Sequence, residues 1–67
     1  MEFAKILKEL RTDKELTQLQ LAKALGFNSH AVIANWESGR QMPDIENLKL
    51  LSKFFKVSID YLVGNEN

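Results

Sequence analysis

Between Thr17 and Arg40 lies a group of residues with recognition chemistry and little else. At helical spacing, His30, Ala31, Ala34, Asn35 and Ser38 fall on one side of about two turns of chain, while Ile33 and Trp36, three apart, share the other. The first side is small and polar and is the informative one; the second is apolar and belongs in a core. Catalysis finds no comparable support. His30 is the single histidine and there is no cysteine, so neither a metal site nor a histidine-based dyad with a defined partner is expected. Asp44 and Glu46 stand two apart at a helix start, where negative charge favours the helix dipole, so capping is the stronger reading than acid–base work. No nucleophile, base and oxyanion donor assemble, and an enzyme is not expected.

The elements that would carry these residues are all helical. Phe3, Ile6, Leu7 and Leu10 follow an i, i+3, i+4, i+7 pattern over roughly 2 to 12. Thr17 and Gln20 have capping-box spacing and open a second helix, with Leu21, Ala22 and Leu25 inward and Gly26 closing it. Phe27 and Asn28 form a turn. Ser29 caps a third helix, closed by Gly39, and Trp36 belongs to its core face. Asp44 caps a fourth, with Ile45, Leu48, Leu51 and Phe55 inward and Leu50 and Phe54 flanking. Ser58 caps a short fifth containing Ile59, Tyr61, Leu62 and Val63, stopped by Gly64. The fold class expected is all-α, five short helices in a single domain spanning 1–67.

Composition agrees with a folded globule: of 67 residues, 45% are hydrophobic and 27% charged. Without disulfides, a core this small must rest on helix packing, which fits a reducing compartment. No apolar run approaches the roughly 20 residues of a membrane span, and no secretion signal opens the chain, so a cytoplasmic location with no membrane partner is expected. Nine basic and nine acidic residues balance to zero, which counts mildly against a nucleic-acid partner unless one face is locally biased.

Taken together, Leu10-Arg11, Leu16-Thr17-Gln18, Leu21-Ala22, Leu25-Gly26, Ile33, Trp36-Glu37, Gly39, Pro43, Leu48, Leu51, Val57-Ser58 and Tyr61-Leu62 resemble the Cro/repressor-type (XRE-like) helix-turn-helix regulators. The likeness spans nearly the whole chain, and its helix-turn-helix covers about 17–39. It implies a lambda-repressor-like fold whose third helix enters the major groove of double-stranded DNA while the second crosses the phosphate backbone. By the same resemblance Ser29, His30, Ala31 and Asn35 take base-reading positions. Asn35 can bind adenine through N6 and N7, and the Ala31 methyl can meet thymine. Thr17, Gln18, Asn28, Ser38 and Arg40 take phosphate-binding positions, with Asn28 an extra residue in a turn longer than the family's commonest. Glu37 pairs with Arg11 as a structural ion pair rather than facing DNA.

The implied function is a sequence-specific transcriptional regulator, a repressor acting as a homodimer on an inverted-repeat operator, with no cofactor and no small-molecule ligand. Leu62 belongs to the monomer core, and Ile59, Tyr61 and Val63 form the dimer interface. The alternative is a protein-interaction module or antitoxin using the same fold.

Overall fold

Four side chains set where helices begin. In this computed structural model, which describes residues 2–65, the Thr17 hydroxyl accepts from the Gln20 N–H at 3.0 Å and the Gln20 carboxamide accepts from the Thr17 N–H at 2.8 Å. That reciprocal pair opens α2 (Gln18–Ala24). Ser29 accepts from the Ala31 N–H at 3.1 Å ahead of α3 (Ala31–Glu37), and His30 between them already has helical angles, φ −69° and ψ −15°. Asp44 accepts from the Asn47 N–H at 2.9 Å before α4 (Ile45–Phe55), and Ser58 from the Tyr61 N–H at 2.9 Å before α5 (Ile59–Leu62). The chain opens with α1 (Glu2–Asp13). Of the domain expected over 1–67, Met1, Glu66 and Asn67 lie outside the described residues.

The helix ends are as defined as the starts. α2, α3 and α5 each close in a left-handed turn in which an N–H reaches back five residues: Phe27 to Ala22 at 2.9 Å, Arg40 to Asn35 at 3.0 Å, and Asn65 to Asp60 at 2.9 Å. At Gly64 the requirement for glycine is double. Its φ is +80°, and a Cβ there would sit 2.7 Å from Cβ of Glu2. α4 closes the same way on Lys56, which holds φ 58° and ψ 45° without being glycine.

Every helix contributes to one apolar cluster: Phe3 and Leu7, Leu21 and Ala22, Ile33 and Trp36, Leu48, Leu51 and Phe55, and Leu62. α1 packs on α3 and α5, α2 on α3, and α4 on α5. Among the described residues there is no strand. The expectation that Ile45 points inward is corrected, since it is 55% exposed. As the first residue of α4 it lies about 120° around the helix from Leu51. Pro43, just before it, is the residue that is buried there. Leu50, expected at the flank, is likewise exposed, whereas Phe54 is half-buried and stacks edge-on against Phe55 with centroids 5.0 Å apart.

Candidate nucleic-acid interface

α2 and α3 meet through a six-residue connection in which Phe27 turns inward, its ring edge-on to Trp36 at 6.0 Å. That contact fastens the turn to the core and leaves Asn28, Ser29, His30 and Ala31 exposed. Trp36 is buried and Ile33 fully so, which turns the opposite side of α3 outward. On it Ala34 and Asn35 are half-buried and Ser38 is exposed, with Arg40 exposed in the loop beyond. The small and polar stripe is therefore turned outward on the α2–α3 unit, with Asn28 exposed in the turn beside it.

Glu37 is withdrawn from that surface. Arg11 at the end of α1 grips its carboxylate with two bonds, Nε to Oε2 at 2.6 Å and Nη2 to Oε1 at 2.9 Å, and its Nη1 donates to the Leu16 carbonyl at 2.7 Å. The bonds donated to Glu37 hold the Arg11 pKa above the usual arginine value; burial works the other way, and the adjacent negative charge adds to the rise. Gln18, at the start of α2, donates from Nε2 to the same Oε1 at 3.2 Å. One carboxylate thus ties together the end of α1, the start of α2 and the end of α3. The Gln18 bond was not legible beforehand, because it depends on how α2 crosses α3. A carboxylate only accepts, so the bond also orients the Gln18 amide, placing its NH₂ toward Glu37.

Thr17 is exposed, but its hydroxyl and N–H are both engaged in the capping box. Ser38 is exposed, yet its hydroxyl is engaged within the chain, donating to the Asn35 carbonyl at 3.1 Å. The C-terminal residues group separately. Tyr61 is exposed, while Ile59 and Val63 are half-buried against the core. Ile59 also edges an open groove with Glu46, Lys49, Leu50 and Lys53. Among the described residues no cluster of three or more His, Cys, Asp or Glu side chains is placed to hold a metal, and no helix is long and apolar enough to cross a membrane.

Residues 7–62 match the helix-turn-helix family model. The chain belongs to that helix-turn-helix family. Among characterised relatives, it is 52% identical over 66 residues to the HTH-type transcriptional activator BcrR of Enterococcus faecalis, covering 98% of this chain and 32% of that protein. It is 35% identical to the HTH-type transcriptional regulator ImmR of Bacillus subtilis (strain 168) over 98% of this chain and 51% of that protein. To the cryptic phage CTXphi transcriptional repressor RstR of Vibrio cholerae it is 32% identical, over 94% of this chain and 56% of that protein. The chain therefore spans between about a third and somewhat over half the length of these relatives. No solved structure gives a significant match. The helix-turn-helix pair is α2 and α3, within the all-α five-helix fold of the described residues.

Proposed function

We propose that this chain binds double-stranded DNA sequence-specifically and regulates transcription by occupying an operator. α3 enters the major groove and α2 crosses the backbone. The observation that carries the reading is the fate of Glu37. It is the only carboxylate between residues 17 and 43, and Arg11 and Gln18 hold it away from the outer surface. The segment from 17 to 43 consequently offers the exposed Lys23 and Arg40 with neutral polar groups to an anion, although the whole chain carries no net charge.

Ser29, His30, Ala31 and Asn35 are the base-reading residues of this proposal: the first three are exposed around the start of α3, and Asn35 is half-buried further along it. Thr17, Gln18, Asn28 and Arg40 contact phosphates, Thr17 and Gln18 from the capped start of α2, Asn28 from the turn and Arg40 from the loop after α3. A single recognition helix reads too few base pairs to select a genomic site, so the acting species is a homodimer on an inverted repeat, half-sites about 34–36 Å apart or a multiple of that. Tyr61 is the exposed centre of the dimer face, with Ile59 and Val63 supporting it from the half-buried positions beside it. An operator overlapping a promoter makes the protein a repressor.

Selection of binding sites from random duplex DNA tests this directly, and an enriched inverted repeat is expected. With Lys23 and Arg40 as the free cations, the log affinity should fall against log salt with a slope of about −2 per protomer. No binding at roughly 50 mM salt would overturn the proposal in favour of a protein-interaction module or antitoxin.

A further inference from the structure

The end of α3 is fastened more heavily than a helix end requires. Its closing turn needs one bond back to the Asn35 carbonyl, and the Arg40 N–H supplies it at 3.0 Å. The same carbonyl also accepts from the Gln41 N–H at 3.2 Å and from the Ser38 hydroxyl at 3.1 Å. The Ser38 oxygen in turn accepts from the Arg40 N–H at 3.3 Å, so this N–H is shared between two acceptors. Gly39, at φ 81°, makes the reversal that brings the loop back. The backbone of Arg40 is therefore held on two sides, by the carbonyl of Asn35 and by the hydroxyl of Ser38.

We infer that Ser38 is a positioning residue rather than a phosphate ligand: its hydroxyl locks the loop so that Arg40 meets the DNA backbone in fixed register with Asn35. This inference rests on the DNA-binding reading above and replaces the phosphate-binding role that the family resemblance gives Ser38. Two observations support it. The Ser38 hydroxyl has one proton, and that proton is directed to the Asn35 carbonyl rather than outward. The loop residue it steadies carries the one guanidinium on the α2–α3 face. Base reading by Asn35 and phosphate contact by Arg40 then share one backbone anchor, so a shift in either disturbs the other.

The test is a double-mutant cycle on a selected operator duplex, with Ser38→Ala, Ser38→Thr, Arg40→Ala and the Ser38→Ala/Arg40→Ala pair. Ser38→Ala is expected to weaken binding about three- to tenfold, the range one net hydrogen bond allows, and to make the salt slope shallower, toward that of Arg40→Ala. Added to Arg40→Ala it should change affinity less than about twofold, and Ser38→Thr, which keeps the hydroxyl, should restore wild-type binding. Independent multiplicative losses, an unchanged salt slope, wild-type binding by Ser38→Ala or a failed Thr rescue would each overturn the inference. Amide exchange in the free protein separates it from the DNA reading: the Arg40 and Gln41 N–H groups should exchange faster in Ser38→Ala than in wild type. Equal exchange overturns the fastening even where DNA is bound, and absence of DNA binding in the wild type overturns the reading on which it stands.

Discussion

Replacing Arg11 by Ala should do more damage than replacing its partner, and the geometry says why. The Arg11 side chain is 11% exposed and that of Glu37 is 5% exposed. Arg11→Ala leaves the more buried charge, Glu37, with a single 3.2 Å bond from Gln18, and it also removes the 2.7 Å bond that fixes the Leu16 carbonyl. Breaking a buried pair from one side costs roughly 3–5 kcal/mol, against about 0–1 kcal/mol for an exposed pair. Because both residues are part-buried, Arg11→Ala belongs toward the lower end of that range, about 3–4 kcal/mol. Glu37→Ala belongs near 3 kcal/mol or somewhat below, because Arg11 keeps Leu16 and its longer side chain can reach water. Against a total of roughly 3–10 kcal/mol for a chain this short, either is severe, lowering the melting temperature by about 12–24 °C for each 3 kcal/mol. Urea unfolding followed by Trp36 fluorescence reads this at a residue adjacent to Glu37, with helical circular dichroism as the second probe. The double replacement Arg11→Met/Glu37→Leu should recover most of the loss, since apolar pairs of similar volume replace buried ion pairs at little cost. The raised Arg11 pKa sets the pH window. Stability from a raised pKa is fully present below the unfolded value and is lost only as pH rises through the folded one, so Arg11 contributes no pH dependence in the neutral range. Single variants within about 0.5 kcal/mol of the parent, or a double variant as damaged as the sum of both, would refute the reasoning.

Other outcomes follow from single positions. Asn35→Ala should cost about 1–3 kcal/mol on the selected operator and almost nothing on random duplex DNA, as measured by parallel titrations; equal losses on both would give Asn35 a backbone role. Lys56→Gly should stabilise the chain by roughly 0.5–1 kcal/mol in urea unfolding, because φ 58° strains a side-chain-bearing residue. Gly64→Ala should destabilise it by about 1–2 kcal/mol, meeting both a positive φ and the Glu2 side chain. Tyr61→Glu should leave melting nearly unchanged, since the side chain is exposed, and should reduce the two-to-one protein–operator species in sedimentation. A one-to-one complex in the wild type would sink the dimer model.

What could be read in advance was local. Thr17 with Gln20, Asp44 and Ser58 each act on an N–H three residues away, so side-chain type and spacing are enough to place the starts of α2, α4 and α5. The inward faces of α1 and α3 were legible for the same reason, a repeat of about 3.6 residues that any packed helix must show. Ile45 and Leu50 were misjudged or left at the flank because burial at the edge of a helical face depends on what packs beside it. Pro43 takes the buried position next to Ile45, which no periodicity reveals. The Gln18–Glu37 bond and the three donors on the Asn35 carbonyl were out of reach for a deeper reason. The first depends on the crossing of two helices and the second on the conformation of the loop after α3, neither of which side-chain pattern encodes.

That same dependence explains how a chain with no net charge can have a face suited to a polyanion. Nine carboxylates would neutralise nine cations if all were equally displayed, but Glu37 is the single one between residues 17 and 43, and a cation from α1 occupies it. The other eight lie outside that segment in sequence; of these Asp44 caps α4 and Glu46 approaches Lys49 at 4.0 Å. At physiological ionic strength a charge is felt over about 8 Å, so carboxylates on distant faces are largely screened from a ligand seated on α2 and α3. Local sign decides encounter, and here it is set by where the protein puts one glutamate. Removing Arg11 would therefore act twice, loosening the α1–α3 contact and releasing a negative charge beside the surface proposed to meet phosphate.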